Sequence, residues 1–144
     1  MISKNIFTTI SFKQTQKLGE ILAKELRGGE IVCLTGELGS GKTTFAQGML
    51  RGLGAKGPYT SPTFVVIKHY KAESRNIYHI DAYRVGSKDI LDLGWEEIVS
   101  GKNNIVIVEW AERIKSIIPK DAIWFGFGHL EKNKRKILCL PRKN

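Results

Sequence analysis

An α/β fold, with a mixed, mostly parallel sheet flanked by helices and a C-terminal antiparallel hairpin, follows from three features of the sequence. Two runs of strand length, Glu30 to Thr35 and Asn104 to Glu109, are almost continuously apolar, as strands buried on both faces require. Segments with apolar residues at helical spacing alternate with strand-like segments along the chain. Near the C-terminus, two strand-like runs flank a short polar turn. At 144 residues, 42% of them hydrophobic and 26% charged, the chain is sized for one domain, 1–144.

Ile6 to Ile10 is short, β-branched and threonine-rich, which predicts a first strand. Ser11-Phe12-Lys13-Gln14 has the spacing of a capping box, and Leu18, Ile21, Leu22 and Leu26 continue it as a helix that Gly28-Gly29 closes. Glu30 to Thr35 is the first buried strand. After it, Phe45, Ala46, Met49, Leu50 and Leu53 keep helical spacing, which Gly52 and Gly54 weaken. Phe64 to Tyr70 and Asn76 to Ile80 read as strands joined by the turn-like Lys71 to Arg75. Ser87 to Ser100 predicts one or two short helices interrupted at Gly94, and Asn104 to Glu109 is the second buried strand. Ala122 to Leu130 and Arg135 to Leu140 form the hairpin.

Between the first buried strand and the helix after it stands Gly36-Glu37-Leu38-Gly39-Ser40-Gly41-Lys42-Thr43, which matches G-x-x-x-x-G-K-[ST] in its required strand–loop–helix context. Glycines let the backbone turn successive N–H groups inward, and the start of a helix adds its positive end, so the loop is a cradle for polyphosphate. The fold is accordingly expected to be of the P-loop NTPase type. A nucleoside polyphosphate is the expected ligand, bound by Glu37, Leu38, Gly39, Ser40, Gly41, Lys42, Thr43 and Thr44. Lys42 is expected to bridge the β- and γ-phosphates in a catalytic role, and the Thr43 hydroxyl to be a ligand of Mg2+.

A P-loop also needs an acid at the end of a neighbouring buried strand. Asn104 to Glu109 supplies Glu109, the second expected Mg2+ residue. Asp81, after Asn76 to Ile80, is a candidate catalytic residue that either holds the metal or orients an attacking water; the alternative is a turn or helix-cap aspartate. Arg84 either meets a phosphate or pairs with an acid, and His79 is either a core histidine or a wall of the site. Ser61 and Thr63, in Thr60-Ser61-Pro62-Thr63-Phe64, lie either in a plain loop or in a switch-like segment that senses the γ-phosphate. Phe12 and Arg135 are candidate neighbours of the nucleotide.

Cys33 and Cys139 stand alone in apolar runs and are expected to be buried core thiols, since two cysteines do not complete a zinc site. The 23 basic and 14 acidic residues give a net charge of +9, much of it after Glu131 at Lys132, Lys134, Arg135, Lys136, Arg142 and Lys143. Such a cluster is either a solvated hairpin and tail or a contact surface for phosphate or an acidic protein. Nothing approaches the ~20 apolar residues of a membrane span, and no secretory signal is visible after Met1. A cytosolic location with no membrane partner is expected.

Taken together, the motifs resemble the bacterial tRNA threonylcarbamoyladenosine biosynthesis family TsaE, also called YjeE-type ATPases. The matching pieces run from Ser11 to Gly19 (S-x-x-x-T-x-x-L-G), through the P-loop to Phe45, Ser61 to Phe64, His79 to Arg84, Leu93-Gly94, and Val108-Glu109-Trp110-Ala111-Glu112. Family members often carry Asp at the position of Glu37 and Pro at that of Ala111. From about Ile117 onward little of the sequence is diagnostic. The resemblance implies an ATPase, weak alone, that acts with Mg2+ on the TsaB–TsaD pair, contacts tRNA only through that complex, and resets it by hydrolysis. It also implies that ATP is the substrate, that Gly39, Gly41 and Lys42 hold phosphate, Thr43 and Glu109 hold Mg2+, Asp81 serves hydrolysis or the metal, and Trp110 lies close to the nucleotide, with a core role as the alternative.

Two other functions compete. A small-molecule or nucleotide kinase is compatible with the P-loop alone, but would need an acceptor pocket and clustered arginines, and the arginines here are scattered. A nucleic-acid-binding module would account for the charge, though not for the P-loop with its paired acid.

Overall fold

The computed structural model describes residues 2–59 and 66–141. Its strands are β1 (Asn5–Thr9), β2 (Ile31–Gly36), β3 (Ile67–Ala72), β4 (Arg75–Asp81), β5 (Asn104–Glu109), β6 (Ile123–His129) and β7 (Arg135–Leu140). They form one sheet in the order β1-β7-β6-β2-β5-β4-β3. The four central strands, β6, β2, β5 and β4, pair in parallel, while β1–β7, β7–β6 and β4–β3 pair antiparallel. Antiparallel ladders therefore equal parallel ones in number, all of them toward the edges. The C-terminal hairpin is present as expected, and β1 returns to pair with its second strand.

Ser11 opens α1 (Phe12–Ala23), its hydroxyl accepting the Gln14 N–H at 3.1 Å. The Gln14 carboxamide reaches one residue further than in a capping box and accepts the Ile10 N–H at 2.9 Å. The helix ends before Leu26, shorter than the periodicity suggests, because the Lys24, Glu25 and Leu26 N–H groups each bond three residues back. Leu26 is nevertheless buried.

α2 (Lys42–Gly52) lies beside α1 on one face of the sheet. The sequence presents Gly52 as a weak point of this helix, but its role is in packing. A β-carbon at Gly19, Gly48 or Gly52 would collide with the backbone carbonyl of Phe45, Gln16 or Glu20 on the opposite helix. Each mid-helix glycine costs about 1 kcal/mol. The fully buried Phe45, Met49 and Leu50 each contribute roughly 1.5–3 kcal/mol, so packing decides the outcome.

That face joins α1 and α2 to Val32, Leu34, Ile77, Ile107, Phe125 and Ile137 of the sheet. The other face carries α3 (Ser87–Asp92), α4 (Trp95–Ser100) and a 3₁₀ segment, Ala111–Ile117, over Ile31, Cys33, Ile80, Val106 and Val108. The split of Ser87–Ser100 at Gly94 follows the sequence, whereas the 3₁₀ segment has no signature there. Between β3 and β4 the turn narrows to Glu73-Ser74, with Glu73 in the left-handed region (φ 57°). The expected start of β3 at Phe64 lies outside the described residues.

Both cysteines are buried and unpaired. Burial pushes the Cys33 thiol far up and the Cys139 thiol up to about 11, consistent with inert core thiols. Among the described residues no helix is long and apolar enough to cross a membrane.

Candidate functional site

The parallel strands β2, β5 and β4 end on the same edge of the sheet. Leu34 stands opposite Glu109, and Glu109 opposite Asp81. The loop after β2 therefore opens beside both acids that the sequence singles out, as open parallel sheets place their sites at the carboxyl ends of strands.

Gly36 and Gly41, at φ 145° and 105°, take backbone conformations that a side chain rarely adopts. A β-carbon at Gly36 would also press on the Phe127 carbonyl at 2.6 Å, so the loop lies close over β6. Gly41 caps α2 without a side-chain hydrogen bond. No acid occupies the first turn, so its N–H groups are open to an anionic ligand.

Lys42 is only 4% exposed. Its ammonium donates to the carbonyls of Gly36 and Glu37 (2.8 Å to the latter) and more weakly to the Ser40 hydroxyl at 3.4 Å. It also lies 4.0 Å from the centre of the Trp110 ring. Burial lowers its pKa, and the carboxylates of Glu112, Glu109 and Asp81 oppose the shift.

Glu109 is 2% exposed at the end of an otherwise apolar strand. An ionised carboxylate so buried needs partners on both oxygens. Oε1 accepts the Thr43 hydroxyl at 2.6 Å, and Oε2 lies 2.6 Å from His79 Nε2. The two expected Mg2+ residues are thus in direct contact. Among the described residues no group of three or more His, Cys, Asp or Glu side chains is arranged to hold a metal alone. A hydroxyl beside a carboxylate fits Mg2+, which favours hard oxygen donors and takes its remaining ligands from water and phosphate.

Asp81 Oδ1 accepts the Tyr83 N–H at 2.9 Å, the bond of a turn aspartate. Its backbone N–H donates to the Val66 carbonyl. Its charge nonetheless bears on Lys42. Arg84 is exposed. Trp110, at φ 59°, lines a cavity of about 140 Å³ with Phe12, Leu38, residues 39–44 and Glu109. Phe12 is 72% exposed at the mouth. Arg135 reaches from β7 to the P-loop, donating to the Gly39 carbonyl at 3.2 Å, and lines an adjoining cleft with Ser11, Phe12 and Thr15. Phe12, Trp110 and Arg135 therefore all border the P-loop. Ser61 and Thr63 lie outside the described residues.

Two contacts escaped the sequence reading. Glu112 accepts the Thr35 hydroxyl at 2.6 Å, tying the 3₁₀ segment to the end of β2 beside the loop. Its sequence signals are its place three residues after Glu109 and at the end of the family-like piece Val108 to Glu112, neither of which points to Thr35. The pairing of His79 with Glu109 joins neighbouring strands, and their separation of 30 positions gives no local pattern.

A family model described as threonylcarbamoyl adenosine biosynthesis protein TsaE matches residues 9–137. The chain is similar to the tRNA threonylcarbamoyladenosine biosynthesis protein TsaE of Rickettsia conorii, 39% identical over 134 residues, covering 92% of this chain and 74% of that protein. The TsaE of Aquifex aeolicus is 39% identical over 129 residues, 88% of this chain and 89% of the other. That of Bacillus subtilis is 33% identical over 129 residues, covering 90% and 80%. The crystal structure of Bacillus subtilis YdiB superposes with a TM-score of 0.84 at 26% identity, covering 99% of this chain and 88% of that one.

Proposed function

This chain belongs to the TsaE family, and on that premise we propose that it is a Mg2+-dependent ATPase serving the synthesis of threonylcarbamoyladenosine in tRNA. The observation that carries the reading is the contact between Thr43, on the first turn after the P-loop, and Glu109, at the end of the adjacent parallel strand. A glycine loop alone binds phosphate, whereas a loop hydroxyl held against a buried carboxylate is the arrangement that a nucleotide-bound divalent cation needs.

The loop N–H groups and the α2 terminus bind the phosphates. Lys42 exchanges the Gly36 and Glu37 carbonyls for phosphate oxygens and stabilises the charge that develops as the terminal phosphoryl group leaves. Thr43 and Glu109 hold Mg2+, which when bound neutralises phosphate charge. Asp81 orients the attacking water, whose oxygen bonds to the γ-phosphorus as the bond to the bridging oxygen breaks, giving ADP and phosphate. Trp110 and Phe12 flank the cavity and limit its access to bulk water.

In this reading the partners are TsaB and TsaD, tRNA is met through that complex, and the setting is the cytoplasm. ATP hydrolysis measured with and without TsaB–TsaD, beside tRNA modification with the chain present or omitted, tests it. Stimulated hydrolysis and lost modification are expected. No stimulation, with modification unchanged on omission, overturns the proposal.

A further inference from the structure

His79 is fully buried, yet its role differs from that of the apolar residues around it. β4 and β5 run in parallel with His79 opposite Ile107, so Glu109 lies two residues further along β5 on the same face. The imidazole reaches across to it, Nε2 to Oε2 at 2.6 Å. An ionised carboxylate only accepts hydrogen bonds, so Nε2 is the nitrogen that carries a proton. The other ring nitrogen, Nδ1, is buried with no partner among the described residues. A bare lone pair there leaves no donor orphaned, whereas an N–H would be a buried donor facing no acceptor.

We propose that His79 is a positioning residue for Glu109: its Nε2–H holds Oε2 toward the sheet, so that Oε1 is presented to Thr43 and to a nucleotide-bound divalent cation. A glutamate has three side-chain torsions, and the Thr43 contact alone leaves the carboxylate able to rotate. Bonds to both oxygens fix it. Histidine on a neighbouring strand does this, and the arrangement corresponds to the outer-shell partners that orient metal-binding carboxylates elsewhere. This role rests on the reading of Glu109 as the metal carboxylate.

A histidine that only fills the core would be replaceable by an apolar residue with no change at the cation site. Two variants separate these roles: His79→Leu fills space without a donor, and His79→Gln keeps an N–H at similar reach. The probe is a fluorescent ATP analogue, with affinity measured on the full chain in EDTA and in Mg2+. In EDTA both variants are expected to bind within about threefold of wild type, since no phosphate contact is touched. The gain in affinity on adding Mg2+ is expected to fall about 10- to 100-fold in His79→Leu. It is expected to recover to within about threefold of wild type in His79→Gln.

An undiminished gain in His79→Leu, or no recovery in His79→Gln, overturns the role of His79 and leaves Glu109 as assigned. A wild type in which Mg2+ adds nothing to affinity overturns the assignment of Glu109 and, with it, the role of His79. Should His79→Leu not fold, the 15N spectrum of the wild-type imidazole decides: a proton on Nε2 hydrogen-bonded to Glu109 is expected, and an Nε2 without a proton overturns the inference.

Discussion

The Lys42 ammonium rests on its own loop, against the Gly36 and Glu37 carbonyls and the Trp110 ring, and burial holds its pKa below the ordinary 10.5. Between the lowered value and 10.5, the unfolded chain keeps a proton that the folded chain has released. Stability without nucleotide therefore gains as pH rises through that window. Phosphate oxygens beside the ammonium favour its charged form, so ATP binding in the same window takes up protons. Calorimetry in two buffers of different ionisation heat is expected to show proton uptake by Lys42 on ATP binding inside that window and less of it at lower pH. A proton count that does not change with pH would contradict the role of burial. Lys42→Ala is expected to lower the ATP hydrolysis rate about 100- to 1,000-fold, as removal of a donor to developing charge does. Glu109→Gln keeps shape but removes charge, so it is expected to weaken the dependence on Mg2+ more than nucleotide binding in EDTA.

At the scale of elements, the α1–α2 interface distinguishes glycines required by packing from glycines that are not. Gly48→Ala drives a β-carbon into the Gln16 carbonyl, so one helix must shift. The expected cost is about 1–3 kcal/mol, the usual range for overpacking, read as a lower midpoint in urea. Gly126→Ala, in β6, adds a β-carbon to open space and is expected to be neutral or slightly stabilising. Equal effects of the two would mean that the helices yield more easily than their backbone contact implies. A strand break at Gly36, the turn of residues 36–41 and the uncapped start of α2 follow directly from local sequence, which is why the loop is legible without coordinates. The 3₁₀ segment is not, because short i→i+3 turns have no periodicity of their own.

Over the whole molecule, one edge of the sheet gathers the P-loop, Glu109 and Asp81 from three strands. A ligand bridging them should stabilise the fold as a unit. With ATP and Mg2+ at about 100 times the dissociation constant, the expected gain is about 2.7 kcal/mol, visible as a rise of several degrees in a thermal melt. EDTA or Thr43→Val should remove much of it. A melt indifferent to Mg2+ would separate the P-loop from its acid. The basic hairpin enters the site as well, since Arg135 reaches the Gly39 carbonyl. Part of the charge excess is therefore local to the glycine loop.

The sequence by itself determined the order of strands and helices, the phosphate loop, the acid ending the second buried strand, and the resemblance that fixes the family. These are written in contiguous residues, where spacing and hydrophobic pattern act directly. Only the tertiary structure decided that β1 closes onto β7, that glycines join α1 to α2, and that Arg135 touches the loop. It alone shows that Glu109 is gripped by Thr43 on one oxygen and by His79 on the other. Those relations join residues far apart in the chain, and they exist because parallel pairing brings strand ends together, a juxtaposition that no local pattern encodes.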